Sequence, residues 1–113
     1  MFNSVDEGFL RRAISVVEAN MREADFNVEA LALALNMSRS ALYLKLKALV
    51  DQAPQTFIRT LRLKRSAQLL CEDAANISEI AAKVGFLEPT HFSRDFKTQF
   101  GVSPSQYRDA CGE

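Results

Sequence analysis

The fold is decided by the second half of the chain, where residues 76–108 are NISEIAAKVGFLEPTHFSRDFKTQFGVSPSQYR. Apolar residues recur there at three- and four-residue spacing, which places them on one face of an α-helix. Asn76 and Ser103 are typical N-cap residues, and each is followed three positions later by Glu or Gln, the pattern of a capping box. Gly85 and Gly101 stand where helices commonly end. The stretch therefore predicts three helices separated by tight turns.

An earlier part of the chain repeats this pattern. Residues 28–37 align with residues 77–86, and residues 38–57 align with 88–107 after one extra residue at Leu87. Few residues are identical, but the apolar positions and the helix ends coincide. Each unit is predicted to be a short helix, a tight turn and a longer helix, which is the layout of a helix-turn-helix. Because this layout also occurs in helical bundles that bind no DNA, the repeat alone leaves a purely structural role open.

The whole chain is predicted to be all-α, with seven helices and no β-strand. Ser4 and Glu7 form the capping-box pattern for a first helix, and Pro54 suits the first turn of a long one. The predicted helices cover about residues 5–24, 27–35, 38–49, 54–72, 76–84, 89–100 and 103–110.

The net charge of zero hides a strong local asymmetry. Residues 37–70 hold seven basic residues and one acidic residue, whereas acidic residues outnumber basic ones on both sides of this segment. Such a basic segment can bind phosphates even when the total charge is zero. A solvated helix face explains the same charges, so charge alone does not decide between the two.

The composition disfavours several other classes of protein. Two cysteines and one histidine are too few for a disulfide framework or a four-ligand zinc site, so we expect a reduced chain without a metal or another cofactor. We find neither a nucleophile–base pair nor a glycine-rich phosphate loop, which disfavours an enzyme. No apolar run is long enough to cross a bilayer, so we expect no membrane contact by this domain.

Helical-wheel geometry predicts which side chains of the two longer repeat helices face outward. In the second unit the inward stripe is Phe92, Phe96 and Phe100. The opposite side carries Thr90, Arg94 and Lys97, flanked by His91 and Thr98. In the first unit the inward stripe is Leu42, Leu46 and Leu49. The opposite side carries Ser40, Leu44 and Lys47, flanked by Ala41 and Tyr43.

These outward residues suit contacts with a DNA duplex. Arg94 can donate two hydrogen bonds to guanine O6 and N7, and Thr90 can hydrogen-bond a base or touch a thymine methyl group. Leu44 is unfavourable in water unless something apolar covers it, and a thymine methyl group fits that need. Three cations are suited to bind phosphates, namely Arg39, Lys47 and Lys97. The backbone N–H groups at the two helix starts near Asn27 and Asn76 are suited to them as well. An outward arginine is also compatible with simple solvation.

Residues 58–70 (IRTLRLKRSAQLL) followed by 76–108 closely resemble the DNA-binding domain of AraC/XylS-family transcription regulators. The resemblance covers essentially residues 6–110. It implies one domain over residues 1–113, with helix-turn-helix units at 27–49 and 76–99, a linker helix at 54–72 and a last helix at 103–110. It further implies recognition helices at 38–49 and 89–99 that enter successive major grooves.

The resemblance also assigns roles to individual positions. Base contacts fall on Ser40, Tyr43 and Leu44 in the first recognition helix and on Thr90, His91 and Arg94 in the second. Backbone contacts fall near Ser38, Arg39, Lys47, Ser93 and Lys97. Three positions depart from the family. Leu44 stands where Arg is common, Asn36 replaces the usual turn glycine, and Asp51 replaces the helix-ending glycine that the second unit keeps at Gly101. We therefore expect the second unit to specify sequence more strongly than the first.

Residues 37–70 look most like the output domain of a hybrid two-component regulator or another large sensor regulator. This implies double-stranded DNA as the partner and a bacterial cytoplasmic location, with a membrane-anchored parent protein if that parent is a hybrid sensor. Contact with RNA polymerase and dimerisation through domains outside this chain are compatible with the sequence. The alternative is a helical protein-interaction module that uses Tyr43 and Leu44 and binds no DNA.

Overall fold

A computed structural model describes residues 3–112 of the chain, so residues 1, 2 and 113 of the predicted domain lie outside the described residues. Residues 3–112 form seven α-helices and no β-strand, as the sequence predicts. The helices are α1 (Ser4–Ala19), α2 (Val28–Ala34), α3 (Arg39–Val50), α4 (Pro54–Glu72), α5 (Ile77–Lys83), α6 (Pro89–Phe100) and α7 (Pro104–Cys111). Across the described residues, every helix is too short or too polar to span a membrane.

The described residues divide into two compact units. Unit 1 comprises residues 3–20 and 26–61, and unit 2 comprises residues 21–25 and 62–112. Each unit contains one copy of the sequence repeat. Residues 54–61 of α4 belong to unit 1, and residues 62–72 belong to unit 2.

Side-chain caps fix the starts of α2, α3, α5 and α7 where the sequence predicts them. Asn27, Ser38, Asn76 and Ser103 each accept a hydrogen bond from the backbone N–H three residues later. Such bonds satisfy donors that the first turn of a helix leaves unpaired. For Asn76 and Ser103 the reciprocal bond is also present, so both predicted capping boxes are confirmed.

The first helix differs from its prediction at both ends. Its N-cap is Asn3, whose side chain accepts from the N–H of Asp6 at 2.8 Å, and Ser4 already lies inside the helix. The helix ends at Ala19 and not near residue 24, because the side chain of Asn20 donates to the carbonyl of Val16 at 2.8 Å. This bond occupies a carbonyl that continued helix would use.

In unit 1 the second helix of the repeat is held by packing of its inner face. Of the predicted inward stripe of α3, Leu42 and Leu46 are fully buried and Leu49 is half-buried. Helix α2 packs on both α1 and α3. Further buried side chains in this unit are Phe9, Ala13, Val17, Leu31, Ala32, Phe57 and Ile58.

In unit 2 aromatic rings hold the corresponding helix. Phe92 and Phe96 of α6 are fully buried, with ring centroids 5.7 Å apart. Phe86 contacts Phe92 at 5.3 Å, and Tyr107 of α7 contacts Phe96 edge-on at 5.5 Å. Aromatic pairs at these separations stabilise a core beyond the area they bury. The outer side of α6 is thereby directed towards solvent.

Both units turn the chain through the left-handed region at matching positions. Asn36 (φ 56°) occupies in unit 1 the place of Gly85 (φ 88°) in unit 2, and Asp51 (φ 54°) occupies the place of Gly101 (φ 82°). The two residues that replace the family's glycines, Asn36 and Asp51, therefore keep the left-handed backbone of those positions. Asn and Asp tolerate this region better than other residues with a side chain.

The C-terminal end of α4 is fastened to α7 by a disulfide and an arginine. Cys71 and Cys111 form a disulfide, with Cα atoms 5.5 Å apart. The guanidinium of Arg108 donates to the carbonyls of Leu70 at 3.1 Å and Asp73 at 2.8 Å. The expectation of a chain with reduced cysteines is therefore wrong for this structure. Sequence spacing gave no signal, because two cysteines 40 positions apart are brought together only by the packing of α7.

Candidate nucleic-acid interface

The outer face of α3 exposes a mixed set of side chains. Ser40 and Lys47 are exposed, Tyr43 is 47% exposed and Leu44 is 68% exposed. The opposite face of α3 carries the fully buried Leu42 and Leu46. The four residues of the outer face therefore lie outside the core of unit 1. Helix α3 thus presents its predicted base-contacting positions, Ser40, Tyr43 and Leu44, to solvent.

Two cations at the ends of α3 are held in exposed ion pairs. Arg39 Nη1 lies 3.3 Å from a carboxylate oxygen of Glu29, and Lys47 Nζ lies 3.2 Å from one of Asp51. Exposed pairs of this kind contribute about 0–1 kcal/mol, so a phosphate can replace the carboxylate. Both cations predicted to contact the DNA backbone are therefore exposed, and each has a neighbouring carboxylate that sequence reasoning missed.

A groove of about 700 Å³ lies beside the outer face of α3. It is lined by α3 residues together with the start of α4 and one residue of α2, namely Val28, Arg39, Ser40, Tyr43, Leu44, Ala53, Pro54 and Gln55. Gln55 is exposed, and sequence reasoning did not select it as a site residue. Pro54 could have indicated Gln55, because Pro54 marks the first turn of α4 and so places the next side chain at a helix start.

The outer face of α6 is strongly polar. Thr90, His91, Arg94 and Lys97 are exposed, and Ser93 is half-buried at the edge of this face. The buried Phe92 and Phe96 hold the opposite side, as the predicted inward stripe requires. The predicted base-contacting positions Thr90, His91 and Arg94 therefore lie on one accessible surface of unit 2.

Arg94 is partly oriented by its neighbours. Its Nε donates to a carboxylate oxygen of Asp95 at 3.3 Å, while the Arg94 side chain remains 67% exposed. Within residues 3–112 its two terminal nitrogens make no hydrogen bond, so both can donate to a base. Two parallel donors in one plane match the O6 and N7 acceptors of guanine.

The helix starts offer backbone donors of unequal quality. At α2 the Asn27 side chain accepts from the N–H of Ala30 at 3.0 Å and caps the helix. At α5 the N–H of Asn76 already donates to the Glu79 carboxylate at 3.1 Å. A phosphate at Asn76 must displace this carboxylate, so Asn27 is the better placed of the two predicted contacts. Ser38 caps α3 through the N–H of Ala41 at 3.0 Å.

Part of the basic middle segment serves the core and not the surface. Arg62 is only 8% exposed and donates to the carbonyls of Gly85 at 2.8 Å and Glu23 at 2.9 Å. Burial lowers the pKa of its guanidinium. The Nζ atom of Lys45 lies over the ring of Phe9, 4.7 Å from the ring centroid. The count of seven basic residues in this segment therefore overstates the charge that is available to phosphates.

Comparisons with known proteins agree with this geometry. A helix-turn-helix domain family model matches residues 31–110. The chain is 42% identical over 111 residues to a protein named histidine kinase P4 from Formosa agariphila. The matched region covers 98% of this chain and 8% of that protein. The chain spans between 8% and 38% of the length of the curated relatives it matches.

Solved structures show the same fold. A crystal structure of an AraC-type DNA-binding-domain transcriptional regulator from Chromobacterium violaceum has a TM-score of 0.89 and 28% identity, covering 98% of both chains. The DNA-binding domain of the global transcriptional factor AdpA, solved in complex with a target DNA, has a TM-score of 0.81 and 30% identity, covering 89% of this chain and 90% of that one. Both are described as transcriptional regulators with DNA-binding domains. The chain belongs to the AraC/XylS family of helix-turn-helix DNA-binding domains.

Proposed function

We propose that this chain acts as a single domain that binds double-stranded DNA sequence-specifically, as the output domain of a bacterial transcription regulator. Helices α3 and α6 enter successive major grooves, and α4 serves as the linker helix. The observation that carries this proposal is that α3 and α6 are each buried on one face only. Each has one face fully buried in its unit and the other, at matching repeat positions, exposed.

The contacts divide into those that select bases and those that grip the backbone. Arg94 donates its two terminal nitrogens to guanine, with Thr90 and His91 contacting neighbouring base edges. Ser40, Tyr43 and Leu44 are the corresponding contacts of α3. Phosphates are held by the cations and polar groups beside these faces, namely Asn27, Ser38, Arg39, Lys47, Asn76, Ser93 and Lys97.

The relatives support a proposal for the setting of the domain. The match of nearly the whole chain to 8% of a histidine kinase supports a place as one module of a longer regulator. We place the domain in the bacterial cytoplasm, where DNA is found. Contact with RNA polymerase and dimerisation through further domains of the parent protein complete the proposal.

A second function has one observation in its favour. Tyr43 and Leu44 are exposed apolar side chains on α3, which suits a helical module that binds another protein. Such a module binds with little dependence on salt and has no preference among duplexes. The cations Arg39 and Lys47 of the same helix favour DNA, because a polyanion satisfies them and an apolar partner does not.

Selection of bound duplexes from a random pool tests the proposal. We expect a site with two short elements about one helical turn, roughly 34 Å, apart. Insertion of five base pairs between the elements turns one of them to the far side of the duplex, and should reduce affinity to that of a single element. Insertion of about ten base pairs returns both elements to the same side of the duplex but doubles the distance between them, and it serves as the control. A pool without enrichment, or unchanged affinity after the five-base-pair insertion, contradicts two recognition helices.

A further inference from the structure

A strip of apolar side chains runs along the exposed face of α3. Ala41, Leu44 and Ala48 are separated by three and four positions, so they lie on one side of the helix. All three are exposed, and Leu44 is 68% exposed. We call these three residues the apolar strip. None of their side chains can donate or accept a hydrogen bond.

The matching strip of α6 has the opposite chemistry. By the register of the repeat, Ala41, Leu44 and Ala48 correspond to His91, Arg94 and Thr98. Every one of these three α6 residues is exposed and carries a hydrogen-bonding side chain. The same surface position of the repeat is therefore polar in one unit and apolar in the other.

A thymine methyl group is the apolar feature that the major groove offers to such a strip. Each base pair presents hydrogen-bonding groups there, and thymine adds its C5-methyl group. We infer that the apolar strip of α3 selects thymine through its C5-methyl group, with Leu44 as the main contact. This inference rests on the proposed DNA-binding function and names the chemistry by which unit 1 chooses its bases.

The surroundings of the strip favour DNA over an apolar peptide as its occupant. Lys47 is three positions from Leu44 on α3, and Arg39 lines the same groove as Leu44. The charges of both cations are paired with exposed carboxylates of Asp51 and Glu29. A duplex neutralises both cations through its phosphates while its bases cover the strip. An apolar peptide covers Leu44 but leaves both cations without a stronger partner.

Substitution of thymine by deoxyuridine isolates the methyl group. In the selected duplex, each thymine of the element bound by unit 1 is replaced in turn, which deletes one methyl group and keeps every hydrogen-bonding group. We expect wild-type protein to lose about fourfold in affinity at one or two of these positions. Leu44→Ala should bind the thymine and deoxyuridine duplexes equally, because it lacks the contact that the methyl group makes.

Leu33→Ala is the matched control. Leu33 is a leucine of the same unit, 79% exposed on α2 and outside the apolar strip, so this variant should keep the fourfold difference. Leu44→Arg provides a gain of function, because it copies Arg94 of the other unit. It should change the preferred base from thymine to guanine at one position, by about fivefold or more.

The outcomes separate the inference from the function on which it rests. Wild-type protein that binds its selected duplex specifically, yet is indifferent to deoxyuridine at every thymine, overturns the inference and leaves the proposed function standing. The same holds if Leu44→Ala retains the wild-type thymine preference. Absence of any preferred duplex overturns both.

Discussion

The ammonium group of Lys47 lies 3.2 Å from the carboxylate of Asp51, and Asp51 is the residue that ends α3 in the left-handed region. In unit 2 the corresponding residue is Gly101, which has no side chain to pair with Lys97. The residue that terminates α3 therefore also neutralises a cation proposed to hold phosphate. Termination of α3 and the proposed phosphate contact of Lys47 therefore depend on the same residue.

Removal of the Asp51 side chain should strengthen DNA binding. Asp51→Gly suits the left-handed backbone and frees Lys47, so we expect affinity for every duplex to rise by about threefold at low salt. Lys47→Ala should instead weaken all duplexes alike and reduce the slope of log K against log salt by about one. Salt titrations of binding measure both effects. If Asp51→Gly raises affinity in the Lys47→Ala background as well, Lys47 is not the group that Asp51 restrains.

Arg94 should control base preference and not general affinity. Arg94→Ala removes both donors proposed for guanine, so binding to the selected duplex should weaken by about 1–3 kcal/mol, with relaxed preference at one base pair. Competition among duplexes that vary each position measures this change. Lys97→Ala, on the same face of α6, is the control and should weaken all duplexes without changing their order. Equal loss on every duplex for Arg94→Ala would show that Arg94 holds the backbone.

Gly85 should be far less replaceable than Gly101. A Cβ atom at Gly85 would meet Arg62 Nη1, and would lie 2.5 Å from the carbonyl oxygen of Met21, whereas a Cβ at Gly101 has nothing within 4 Å. Both glycines have positive φ, so Gly101→Ala should lower the free energy of unfolding by about 1–2 kcal/mol. Gly85→Ala adds the collision and should lower it by about 3 kcal/mol or more. Urea unfolding followed by circular dichroism tests the pair, and equal losses would contradict the crowding around Arg62.

The Asp73 carboxylate should stabilise unit 2 in a pH-dependent way. The Lys83 ammonium donates to Asp73 at 2.6 Å and the N–H of Ala75 donates at 2.9 Å, and these bonds lower the pKa of Asp73. Because the pKa is lower in the folded state, the stabilisation is complete above the unfolded pKa of about 3.9 and disappears as pH falls through the folded value.

Asp73→Asn tests this contribution. We expect the variant to be less stable than wild type at pH 5–7, with a difference that shrinks as the pH falls below about 4. Asp109→Asn is the control, since Asp109 is exposed and makes no ion pair within residues 3–112. A difference between wild type and Asp73→Asn that persists unchanged at pH 3 would exclude the carboxylate as its source.

Local signals in the sequence predicted the helices and their faces. Asn76 and Ser103 form capping boxes through contacts three residues away, and the inward stripe of α6 follows from its spacing alone. Contacts between distant residues were not predictable in this way. Arg62 looks like a surface cation, yet its bonds reach Glu23 and Gly85, which only the packed unit 2 places beside it.

In the candidate site, too, features set by neighbours within one helix could be predicted, whereas contacts between distant residues could not. The exposure of Leu44 and Arg94 could be predicted from one helical wheel each, because both depend on neighbours within one helix. The pairing of Arg39 with Glu29 could not, since it requires α2 to pack on α3. The ion pair between Lys47 and Asp51 could have been predicted from the sequence, because residues four positions apart are neighbours on a helix.

The most direct test measures the affinity of the chain for its selected duplex and for a shuffled duplex of the same composition, over a range of salt concentrations. We expect tighter binding to the selected duplex at every salt concentration, with affinity for both duplexes falling as salt rises. Equal affinity for the two duplexes, or binding that does not change with salt, would contradict sequence-specific recognition of DNA by α3 and α6.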